Sequence, residues 1–204
     1  MINMTISKII GSIIEIIILS LIPFIWWVIS ARKKEAFFHW LGFRKIEKNS
    51  IRNTFNGILL ILLFFIVVSA LSLFMLKDIE TATSEFAGLG IKGLLPAFIY
   101  AIFNTSLPEE IFFRGFLMKR ISAKTGYQTA NIIQSIIFGL MHGIMFFTLV
   151  SIWKAFLITL LTGSVAYAMA YINEKKANGS IFPSWIIHGC SNIFASVVAL
   201  FSII

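Results

Sequence analysis

Six apolar runs, at about 9–29, 55–76, 94–118, 132–150, 153–172 and 183–203, decide what this chain can fold into. Each is close to the roughly 20 residues that cross a hydrocarbon core, where the backbone must satisfy its own hydrogen bonds. The runs lack the period-2 alternation of a barrel strand, which leaves helices. The expected fold is all-α: a polytopic membrane helix bundle of about six transmembrane helices. As a single helix the stretch 132–172 would be about 60 Å long, twice the hydrocarbon thickness, so it must fold back near Thr148 to Trp153. The 204 residues leave room for one structural domain, with residues 1–93 giving the N-terminal helices and a basic loop and residues 94–204 the core.

A formal charge of +8 would suit nucleic acid if it were gathered on one polar face. The basic residues are instead spread over the gaps between apolar runs, so nucleic acid is not an expected partner and the lipid bilayer is. Arg32, Lys33, Lys34, Arg44, Lys45, Lys48 and Arg52 crowd the first gap, whereas two lysines face Asp78, Glu80 and Glu85 in the second. The first gap should therefore be cytoplasmic, and alternation puts Arg114 to Lys124 and Lys175–Lys176 on the same side. Residues 36–44, "AFFHWLGFR", read as a short interfacial helix on that surface. Gly139, Gly143 and Gly163 thin two neighbouring spans for close packing.

Once loop charges are set aside, the intramembrane polar groups are Glu15, Glu109, Glu110, Arg114, His142, His188 and Asn192, with Asn104 and Gln134 as weaker members. An ionisable group in a span costs a few kcal/mol unless paired or hydrated, which marks these residues for function. Glu110 precedes Arg114 by four residues, the favourable arrangement for a helical ion pair. Glu109, offset by about 100°, is left without a local partner and suits general-base work. A plainer reading makes Ser106 and Glu109 a capping box for a helix restarting after Pro108. His188 and Asn192 share a helix face, while Cys190 points the opposite way as a small hydrophobe. At 1.5 Å per residue from the inner boundaries, Glu109, His142 and His188 fall at about 15, 12 and 14 Å, one common depth.

The segments "EEIFFR" (Glu109, Glu110, Arg114), "FGLMH" (Phe138, His142) and "HGCSN" (His188, Asn192) resemble the three motifs of the CPBP intramembrane protease family. That family covers CAAX prenyl proteases and bacteriocin-processing or immunity proteins, and the resemblance spans roughly 95–204. It implies endoproteolysis of a peptide or membrane-tethered protein in a cell-membrane protein whose cavity opens toward the cytoplasm. Glu109 would activate a water with help from His142, His188 and Asn192 would stabilise the oxyanion, and Glu110, Arg114 and Phe138 would be structural support. Metal-free catalysis is the preferred form. The rival is a zinc site made of Glu109, His142 and His188, a His₂Glu ligand set with water in the fourth position.

Two other readings use the same residues. One is a non-catalytic bacteriocin self-immunity or scaffold protein on the same fold, since function lives in the site and not in the fold. The other is a small proton-coupled carrier with Glu15 and Glu109 as titrating groups, although opposed half-repeats are not evident.

Overall fold

The structure is a computed structural model that describes residues 2–203. Among those residues it is built from helices and turns without a strand. α1 (Ile2–Ser30) and α3 (Ile51–Met75) flank the short α2 (Phe37–Leu41). A broken helical run then covers 94–125. It contains α4 (Leu94–Ile99), a π-helical stretch Tyr100–Ser106, α5 (Leu107–Glu110), a second π stretch Ile111–Met118 and α6 (Lys119–Thr125). α7 (Tyr127–Phe146), α8 (Ile152–Lys175) and α9 (Phe182–Leu200) complete the bundle.

Among the described residues five helices are long and apolar enough to cross a membrane, against the six spans expected. The difference is the run 94–118. It is helical throughout but interrupted by the two π stretches, and it carries Glu109, Glu110 and Arg114 in its middle. The protein is a multi-pass helix bundle. Within their most apolar windows α9 is 50% buried and α1 and α3 only 11%, so α9 is the central helix and the other two present most of their surface to lipid.

Local chemistry explains the elements. α7 and α8 pack closely because Gly139 lies against the Thr159 carbonyl and the Gly163 backbone, and Gly143 against Thr159 and the Ala155 carbonyl. Their connection folds back at the expected place. Ser151, whose hydroxyl accepts from the Lys154 N–H, caps the start of α8 and is the turn signal where glycine and proline are absent. At the lysine-rich end Lys119 donates to Glu174 at 2.7 Å and to the Gly179 carbonyl at 2.7 Å, joining α6 to the α8–α9 loop. α2 ends on Gly42, whose φ of 96° admits no ordinary side chain and whose carbonyl accepts from the Ile181 N–H at 3.0 Å. Trp40 and Leu41 of α2 are buried against Ile111 and Phe116, so this helix is anchored in the protein by one face while Phe38 projects outward. At the other end Lys8 pairs with Glu85 and lies 5.0 Å from the Tyr100 ring centroid, fixing the loop after α3 to α1.

Candidate active site

The site begins with Pro108, which lacks an N–H and cannot bond back into the preceding turn. The chain widens into π geometry immediately before it, and local hydroxyls take up the carbonyls there. Ser106 Oγ donates to the Ala101 carbonyl at 2.5 Å, and Thr105 Oγ1 lies 3.3 Å from the carbonyls of Tyr100 and Ala101. Ser106 therefore bonds backwards and does not cap α5, which overturns the capping-box reading: the helix never stops, so it has no orphan N–H for Ser106 to satisfy.

Glu110 is fully buried, and its Oε1 accepts from Arg114 Nη1 at 2.9 Å, the expected i,i+4 pair. The same oxygen meets His188 Nδ1 at 3.0 Å. A carboxylate accepts only, so Nδ1 carries the hydrogen and Nε2 is the free edge of the ring. Glu109 Oε2 lies 3.9 Å from that Nε2. The sequence had assigned Glu109 and Glu110 to separate directions; the His188 ring is inserted between them and presents one nitrogen to each. Glu109 Oε2 is buried without a hydrogen-bond partner, although the side chain as a whole is 21% exposed.

Phe138 organises the surroundings. Its face carries the Arg114 guanidinium 4.4 Å from the ring centroid, and its edge packs on Phe113 at 5.0 Å. The Phe138 ring is also 4.5 Å from the His142 ring and 6.1 Å from that of His188. Burying the Arg114–Glu110 pair costs desolvation energy, which the aromatic face and the charge-assisted hydrogen bonds offset. Arg114 Nε and Nη2 and Glu110 Oε2 remain without partners in the core.

His142 Nδ1 bonds the Phe138 carbonyl at 2.9 Å, which leaves its Nε2 free. Glu109 acts on it electrostatically, yet no hydrogen bond or ion pair joins the two among the described residues. Asn192 lies one turn along α9 from His188. Its Nδ2 donates to Thr105 Oγ1 at 2.8 Å and Ser106 Oγ at 3.2 Å, so both amide hydrogens are engaged by the π stretch. The structure thus joins Glu109, Glu110, Arg114, Phe138 and His188 directly, with His142 attached through Phe138 and Asn192 through the hydroxyls. Cys190 is free and half-buried.

Thr105 and Ser106 are the site residues that the sequence did not assign to this role. Two adjacent hydroxyls just ahead of a proline in an apolar run were the available signal. For the zinc alternative, the donor types of Glu109, His142 and His188 suit the metal. Among the described residues no three His, Cys, Asp or Glu side chains converge to hold an ion, although each imidazole is held through Nδ1 and keeps its Nε2 open.

An ionisable centre built into the core of an apolar helix bundle is the mark of a functional membrane protein. Residues 91–194 match the family model described as type II CAAX prenyl endopeptidase Rce1-like, and the chain belongs to that protease family. No curated protein and no solved structure matches the chain.

Proposed function

We propose that the protein is an intramembrane endopeptidase in which Glu109 activates water for attack on a peptide bond. One observation carries this reading: the buried, unpartnered Glu109 Oε2 faces His188 Nε2 at 3.9 Å, and the far side of that ring is held by Glu110. A water at hydrogen-bonding distance of about 2.8 Å from each atom closes a triangle on that edge. Glu109 takes the proton of this water as its oxygen attacks the carbonyl carbon, and returns it to the leaving amine. With a second proton on the ring, the His188 Nε2–H donates to the carbonyl oxygen as it gains charge, and Asn192 joins by giving up its longer bond to Ser106. His142, whose Nε2 is free, assists the water. Phe138 and Arg114 keep Glu110 in place, and Glu110 keeps His188 in place.

The family name points to prenylated CAAX proteins. For this chain the substrate class is a peptide or protein tethered at the membrane, entering from the basic, cytoplasmic side of a cell-membrane bundle. The test is mass spectrometry of cleavage products in membranes carrying wild type or Glu109→Gln. Products present only with wild type are expected. Identical product lists would end the catalytic reading.

A further inference from the structure

Away from the catalytic centre, α3 and α8 diverge to leave a groove of about 380 Å³ on the lipid-facing side. It is lined by Gly57, Leu60 and Ile61 from α3 and Ala168, Ile172 and Lys176 from α8, with Tyr167 and Tyr171 along one wall. The exposed lining is entirely apolar, the Lys176 stem included, and the Lys176 ammonium stands beyond it at one end. The eight steps from Ala168 to Lys176 rise about 12 Å, nearly the hydrocarbon depth of one leaflet.

The charges at that end are unbalanced. Lys175 and Lys176 form no ion pair among the described residues, because the neighbouring Glu174 is taken by Lys119 at 2.7 Å. Thr54 Oγ1 donates to the Lys176 carbonyl at 2.7 Å, so the first turn of α3, with Arg52, abuts the end of α8. Arg52 also lacks an ion pair among the described residues, and Lys175 lies 4.2 Å from the Tyr127 ring centroid. The combination is an apolar trough about as deep as one leaflet, with Tyr171 and the exposed Lys176 ammonium, 5.9 Å from that ring's centroid, toward its basic end. It complements one amphiphile in shape and charge.

We propose that this groove is a binding site for an anionic phospholipid of the leaflet on the lysine-rich side. Its acyl chain lies against Leu60, Ile61, Ala168 and Ile172, and its phosphate meets Lys176. The lipid would brace α3 against α8.

The experiment is native mass spectrometry of the intact protein released from detergent with phosphatidylglycerol or phosphatidylcholine of matched chains. Inorganic phosphate and glycerol phosphate serve as headgroup-only arms. Wild type should retain phosphatidylglycerol in preference to phosphatidylcholine and retain neither small phosphate. Lys176→Gln should lower the preference about fivefold, the worth of one lysine beside an anionic surface, and Lys176→Arg should keep it. Ala168→Phe, which fills the trough, should reduce retention of both lipids. Equal retention of the two lipids by wild type, an unchanged preference in Lys176→Gln, undiminished binding in Ala168→Phe, or equal capture of glycerol phosphate would each overturn the proposal.

Discussion

Glu110 serves two masters in this site, and the two services can be separated. Its Oε1 holds Arg114 at 2.9 Å and His188 at 3.0 Å, with both the acid and the guanidinium out of solvent. Glu110→Ala leaves the Arg114 charge buried and uncompensated, a loss on the order of 3–5 kcal/mol. Replacing both partners, as Glu110→Leu with Arg114→Met, removes the two charges together. Exchanging a buried ion pair for apolar side chains of similar volume is often neutral or stabilising, so most of that loss should return. Proteolytic activity should not return with it, because His188 Nδ1 has lost the acceptor that fixes its tautomer and aims Nε2 at Glu109. Equilibrium unfolding in mixed micelles measures the first quantity, and turnover of a cleaved peptide in the same micelles measures the second. If the double variant recovers activity together with stability, Glu110 is a structural partner of Arg114 alone and the reasoning about His188 is wrong.

Further outcomes are expected elsewhere in the site. Asn192→Ala should slow turnover by about 10- to 1,000-fold through loss of an oxyanion donor, and a wild-type rate would remove that residue from the mechanism. Pro108→Ala restores an N–H and lets the π stretch tighten toward α geometry; turnover should fall while unfolding stability stays or rises, and full activity would show that the wide turn is not needed. Gly143→Leu puts a side chain into Thr159 and the Ala155 carbonyl, so it should lower stability by several kcal/mol; an unaffected unfolding curve would contradict the close α7–α8 packing. Treatment of purified protein with a zinc-specific chelator should leave cleavage intact, whereas complete loss restored by zinc would replace the metal-free mechanism.

Much of this architecture was legible in the sequence because hydropathy acts over long windows. The runs at 9–29, 55–76, 132–150, 153–172 and 183–203 each correspond to a helix long enough to span, and the reversal before Trp153 follows from length alone. The broken run 94–118 was legible as apolar but not as π-helical. Regular spacing arguments assume 3.6 residues per turn, and Pro108 with the two hydroxyls ahead of it departs from that geometry. The i,i+4 pairing of Glu110 with Arg114 was local and so could be read. The insertion of His188 between two adjacent carboxylates could not, because residues 78 positions apart meet only through the packing of α9 on the broken helix. For the same reason the engagement of Asn192 by Thr105 and Ser106 was invisible: helical spacing gives a residue's own face and says nothing about which hydroxyls the facing helix presents.

The most direct test compares cleavage rates of wild type and Glu109→Gln, purified and reconstituted at equal protein in vesicles. The amide keeps the size of the side chain but cannot take a proton from water, so the rate should drop by about 100- to 10,000-fold while the unfolding curve is unchanged. A Glu109→Gln protein that cleaves within a few fold of wild type would show that this carboxylate is not the base.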